Sequence, residues 1–246
     1  MPNIALYARR KSIYSYVNRF ASGKRRLKRR TAILGDFSML DLVDSGVMHS
    51  GVNLITDSGL WPFPGLDPGA YNLIYADPAW EFATRSPKGR KKCADAHYRC
   101  MPLKDMMRLP VGDLAAKDAC LFMWATWPML LQAIELMSAW GFVYKSGGAW
   151  AKLTKNGKVA FGTGYRVRCA SEPFLLGFRG KVKNSRRHRN VIIAKNREHS
   201  RKPDEAFTWV DSYLVGENIR KVELFARTNR PGWQSWGDEV GKFACE

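Results

Sequence analysis

Apolar residues in this chain come mostly in short unbroken runs rather than in strict alternation. Leu73-Ile74-Tyr75, ACLFMWAT (119–126), EPFLLGFRG (172–180), VIIA (191–194) and KVELFAR (221–227) are each of strand length and are bounded by Gly, Pro or polar residues. Runs of this kind predict strands covered on both faces. FVYKSGGAWAKL (142–153) predicts another strand with a glycine break. Between the runs the spacing changes. After Pro128, the residues Leu130, Leu131, Ile134, Met137 and Ser138 recur every three to four positions, and Gly141 ends the pattern, which predicts a helix. Pro203 opens a second amphipathic run that reaches Leu214. Strands alternating with helices imply an α/β fold with a mostly parallel sheet flanked by helices. Residues 36–70 read as a transition, turn-rich at WPFPGLDPG (61–69), and 83–102 as a polar, basic loop.

Charge adds a partner to this picture. The 246 residues hold 40 Lys plus Arg against 22 Asp plus Glu, a net +18. Ten of the basic residues and no acid fall in residues 1–35, and the remainder still carries +8. An excess of this size points to a polyanion, with nucleic acid the commonest. Residues 1–50 are therefore expected to be a basic arm and 51–246 the folded domain. The arm can grip phosphates, serve as a solvated extension, or act as an acid-free organelle presequence. No apolar run reaches the roughly 18 residues a membrane span needs. The five cysteines form no disulfide framework, so a reducing cytoplasm is expected. Cys93, His97 and Cys100 lie close together but lack a fourth ligand nearby, and no metal is expected.

The candidate chemistry lies where the first strand stops, at Asp77-Pro78-Ala79-Trp80. Ligands of open α/β sheets sit beyond the carboxyl ends of strands. An exocyclic amine such as adenine N6 is a poor nucleophile because its lone pair is delocalised. Two acceptors on its two protons favour a more tetrahedral nitrogen. Asp77 can supply one acceptor and the Pro78 carbonyl, held by a stiff turn, the other. Trp80 offers a face for stacking the base. The competing reading makes Asp77-Pro78 a turn and Trp80 core. Phe161-Gly162-Thr163-Gly164 is half a dinucleotide fingerprint, but Tyr165, Arg166 and Arg168 follow it instead of an apolar helix, so it reads as a substrate-facing loop.

Asp77-Pro78-Ala79-Trp80 resembles the Asp-Pro-Pro-Trp signature of the permuted, S-adenosylmethionine-dependent N6-adenine methyltransferases. Further blocks follow in that family's order: AHYRCMPLKDMMRLPV (96–111), LFMWATWPMLLQAIELMSAWGF (121–142), AWAKL (149–153), GTGYRVRCASEPFLLGFRG (162–180), RKPDE (201–205), KVELFAR (221–227) and GWQSWGDEV (232–240). The resemblance implies a Rossmann-like methyltransferase fold with permuted motif order. It implies Asp77, Pro78 and Trp80 as catalytic residues and S-adenosylmethionine as cofactor, bound by Asp77, Lys202, Glu223, Arg227, Asn229, Asp238 and Glu239. It implies a nucleic-acid substrate held by His97, Tyr98, Trp124, Trp150, Lys152, Arg168 and Glu172. Ala79, Arg230, Asp238 and Glu239 depart from the family's usual residues. DNA is the expected substrate, with RNA adenosine the alternative. The rival from another class is a non-catalytic nucleic-acid-binding subunit of the same fold.

Overall fold

A computed structural model describes residues 61–80, 100–164, 166–198 and 200–243. The basic arm, Lys88, Arg90, Lys91, Lys92, Cys93, His97 and Tyr98 lie outside the described residues. Seven strands form one sheet: β1 (Tyr71–Ala76), β2 (Ala115–Trp124), β3 (Val143–Leu153), β4 (Ser171–Arg179), β5 (Val191–Lys195), β6 (Lys221–Leu224) and β7 (Gln234–Trp236). Their order is β5-β3-β4-β2-β1-β6-β7. The pairings β1–β2, β1–β6, β3–β5 and β6–β7 are parallel. β4 runs antiparallel to both of its neighbours, so the sheet is mixed but mostly parallel.

Alternation along the central strands sends side chains to two separate cores. Ile74, Ala76, Leu121, Met123, Leu175 and Val222 join one core, together with Met106, Val111, Leu114, Leu136 and Met137. These last five come from α1 (Leu103–Arg108), α2 (Val111–Leu114) and α3 (Leu130–Ala139). Leu73, Tyr75, Cys120, Phe122, Trp124 and Phe174 join the other core, under Ala206, Phe207 and Val210 of α4 (Asp204–Asp211). Coverage on both faces is why β1 and β2 read as continuous apolar runs. α3 begins after a 3₁₀ turn, Trp127–Met129, that contains Pro128. It ends at Gly141, whose φ of 79° continues the chain through the left-handed region.

Candidate active site

β1 lies between β2 and β6, and its carboxyl end delivers Asp77 to the middle of the sheet edge. Asp77 Oδ2 accepts from Lys202 Nζ at 2.6 Å. Lys202 precedes Pro203, the residue that caps α4. The same ammonium lies 3.0 Å from Oε1 of Glu172, at the start of β4. Glu172 Oε2 in turn meets Lys152 Nζ of β3 at 2.7 Å. Four charges from four segments thus form one row: Asp77, Lys202, Glu172, Lys152.

The two carboxylates titrate in opposite directions for a physical reason. Burial raises Asp77, and the Lys202 charge does not fully offset it, because Glu172 adds a like charge nearby. Burial also acts upward on Glu172, but two lysines outweigh it and hold this carboxyl below its usual range. Burial alone lowers a lysine, yet Asp77 and Glu172 together raise Lys202 above the usual lysine range. Lys202 is therefore a fixed cation at neutral pH.

A second acidic group lines the neighbouring strand. Glu223 of β6 pairs in register with Tyr75 and is driven up to about 7, by burial first and then by the Asp77 charge, against the pull of Arg230. Arg230 Nε lies 3.8 Å from Glu223 Oε2, its Nη2 lies 2.9 Å from Asp204, and its guanidinium sits 3.6 Å over the Phe207 ring. Asp204 also pairs with Arg197. Beyond β6, Arg227 Nε lies 3.0 Å from Glu239 Oε2. Phe225, with a φ of 60°, turns the chain sharply at the end of β6.

The MT-A70 family pattern matches residues 71–239. The chain belongs to the MT-A70 family. It is an enzyme of that family's kind, an adenine N6-methyltransferase. It is 32% identical over 198 residues to the type II methyltransferase M.MunI of Mycoplasma sp, covering 72% of this chain and 81% of that protein. It is 29% identical over 177 residues to a putative N(6)-adenosine-methyltransferase MT-A70-like protein of Medicago truncatula, covering 70% of this chain and 27% of the relative. Identity to the human N(6)-adenosine-methyltransferase catalytic subunit METTL3 is 26% over 178 residues, or 70% of this chain and 28% of METTL3. The chain therefore spans about a quarter of the length of these last two relatives.

MT-A70 membership implies S-adenosylmethionine as methyl donor, and the acceptors at the end of β6 suit it. Among the described residues, Oε2 of Glu223 and Oε2 of Glu239 are buried and take no hydrogen bond, though each lies in ion-pair range of an arginine. A ribose diol supplies the O–H donors that such oxygens need. Lys202 is an ammonium with three N–H donors, two of which are engaged by Asp77 and Glu172. The third can meet an amino-acid carboxylate.

Three aromatic residues expected at the base are buried in this MT-A70 chain. Trp80 has no open face for a base. It is 4% exposed, packs into the core under the sheet and donates its indole N–H to the Trp124 carbonyl at 3.2 Å. Trp124 and Trp150 are buried as well. Their N–H groups are spent on Tyr75 Oη and the Ala194 carbonyl. These two rings lie beneath the row of charges, with Lys202 5.4 Å from the Trp124 centroid and Lys152 4.6 Å from that of Trp150. The Pro78 carbonyl already accepts from Trp80 N at 2.8 Å, which leaves one lone pair for another donor.

Asp77, Lys202, Glu172, Lys152, Glu223, Arg227 and Glu239 thus gather at the carboxyl ends of β1 and β6 and their neighbours. Asn229 and Asp238 are exposed on the loops around β7. Arg168 is exposed in the β3–β4 connection, with its guanidinium 4.9 Å from the Phe161 ring. That connection joins two antiparallel strands, so its glycines never meet a helix and the dinucleotide reading is excluded on geometry. Phe161 opens the loop that the sequence marks as substrate-facing. It is 78% exposed, beside cations, on the loop that leads into Glu172.

Proposed function

We propose that this chain transfers a methyl group from S-adenosylmethionine to the N6 amino group of adenine in DNA. The observation that carries the chemistry is the placement of Asp77, at the carboxyl end of β1, beside the buried cation of Lys202. Lys202 keeps charge near Asp77, so Asp77 can accept from one N6 proton, and the remaining lone pair of the Pro78 carbonyl can accept from the other. Both contacts orient the nitrogen lone pair toward the donor methyl. Asp77 need not take a proton from the neutral amine; the nitrogen becomes acidic only when it bears the transferred methyl. The sulfonium of the donor supplies an electrophilic carbon and a neutral leaving group.

The acceptor base is served by the loop that leads into Glu172, which includes Arg168. Phe161 supplies an exposed ring, and Arg168, Arg166 and Lys158 lie exposed on the same loop, a combination that suits a stacked base and its phosphates. Reaching Asp77 from a duplex requires the base to leave its stack. Likeness to a type II methyltransferase over 81% of its length, against about a quarter of METTL3 and of the Medicago truncatula relative, favours DNA. RNA adenosine is the second reading, favoured by those same adenosine relatives.

Labelled-methyl transfer to DNA and RNA of matched sequence, with N6-methyladenine identified by chromatography, tests both readings. DNA is expected to be labelled and Asp77→Ala to lose about 10²–10³-fold or more in rate, as removal of a charge-stabilising contact does. Labelling of RNA alone transfers the conclusion to the second reading. Equal nucleic-acid binding by wild type and Asp77→Ala, with no transfer by either, replaces both with a binding subunit.

A further inference from the structure

We propose that Glu172 and Lys152 are positioning residues that set the ionisation of Asp77 through Lys202, with opposite signs. The inference rests on the reading of Asp77 as the acceptor of the reacting amine, and it extends that reading to residues that need not touch the substrate. Lys202 is the shared element. Its side chain is 7% exposed, and it lies within hydrogen-bond reach of both Asp77 Oδ2 and Glu172 Oε1. A single buried ammonium cannot be drawn toward one carboxylate without weakening its hold on the other. Lys152 closes the row on the solvent side, 2.7 Å from the second oxygen of Glu172. With all four ionised, two acids and two lysines balance. Removing Glu172 or Lys152 leaves an excess charge in the row that contains Asp77, of opposite sign in the two cases.

The other charges facing Asp77 come from different elements and stay constant in this comparison. They are Glu223 of β6 and Arg227 beyond it; the buried hydroxyl of Tyr75, on β1 itself, is held neutral. Without Glu172, Lys202 belongs to Asp77 alone and one repelling carboxylate is gone, so the ionised form of Asp77 gains. Without Lys152, Glu172 has lost one of its two cations and leans more on Lys202, so the ionised form of Asp77 loses. A hydrogen-bond role toward the base predicts a different result for the same residues. It raises KM and leaves the titration of Asp77 in the free protein where it was.

The test reads Asp77 directly. Aspartate carboxyls of the full-length protein are labelled with carbon-13, the Asp77 resonance is assigned by Asp77→Asn, and its midpoint is followed in wild type, Glu172→Gln, Lys152→Gln and Lys152→Arg. Thermal melts confirm that each variant is folded. The midpoint is expected at lower pH in Glu172→Gln, at higher pH in Lys152→Gln and unchanged in Lys152→Arg, which keeps the charge. The acid limb of kcat for methyl transfer is expected to follow the same order. Midpoints that stay put, or that move together in the two glutamine variants, overturn the proposal. Methyl transfer with unmoved midpoints overturns it while leaving the proposed function intact. Opposite midpoint shifts in a protein that transfers no methyl uphold it and overturn the function instead.

Discussion

Lys202 answers at once to two carboxylates and to the apolar surroundings of Trp124. Replacing it with alanine strands two acids that have few other partners. Breaking a buried pair costs about 3–5 kcal/mol, and the lower end, about 3 kcal/mol, fits here because the Asp77 side chain keeps 25% exposure. Urea denaturation of Lys202→Ala is expected to show that loss. Calorimetry is expected to show weakened S-adenosylmethionine binding with nucleic-acid affinity intact. Glu223 makes a pH-dependent prediction. Its folded value, about 7, exceeds the unfolded 4.5, so the stabilisation from its neutral form is complete below 4.5 and is lost as pH rises through about 7. The difference amounts to about 3 kcal/mol. The melting temperature of wild type is expected to fall between pH 5.5 and 8 relative to that of Glu223→Gln. Donor affinity is expected to rise over the same window in wild type only, because the ionised carboxylate is the better acceptor for a diol.

At the scale of elements, the ends of β6 and β7 shape the pocket edge. Gly237 follows β7, and a Cβ there would lie 2.6 Å from both the nitrogen and the oxygen of Ala226. These are backbone atoms, so the loop after β6 would have to shift. Gly237→Ala is expected to cost roughly 1–3 kcal/mol in chemical denaturation, as overpacking does, and to weaken donor binding because Arg227 and Glu239 move with that loop. The same region shows where the sequence was legible and where it was not. β1, β2, α3 and α4 were readable because each buries an unbroken apolar run or stripe and carries a Pro or Gly at an end. KVELFAR looked like a strand as far as Arg227, but it stops at Leu224, because Phe225 adopts a positive φ that no local pattern announces. β7 went unread because it is three half-buried residues, too few to show a period, placed by pairing with β6.

Across the whole molecule, net charge sets how nucleic acid is held. Arg186, Arg187 and Arg189 are exposed on a segment pinned by Ser185 N donating to the Tyr213 carbonyl at 2.8 Å and by Trp209 Nε1 donating to that of Arg189 at 3.0 Å. A basic ledge on a fixed support is suited to phosphates. Each neutralised phosphate contributes about −0.9 to the slope of log affinity against log salt. The triple alanine variant is therefore expected to flatten that slope by roughly 2–3, measured by fluorescence anisotropy on duplex DNA, with little change in sequence preference. Phe161→Ala is expected to act differently, costing about 1–3 kcal/mol of binding at every salt concentration, since stacking is not screened.

The order of apolar runs, the punctuation by Pro and Gly, the basic excess and the acid at the end of the first strand were all fixed by sequence. They determined the α/β class and pointed to Asp77, because strand length and charge are local properties; Lys202 and Glu223 came from the order of blocks that resemble the family. Which tryptophans are core, that Glu172 and Lys152 join Asp77 through one lysine, and that Phe161 rather than Trp80 shows an open ring were decided by tertiary structure. Asp77 and Lys202 are 125 positions apart in the chain. No periodicity encodes such a distance; the sheet order brings the two together, and burial of their shared surroundings gives their charges strength.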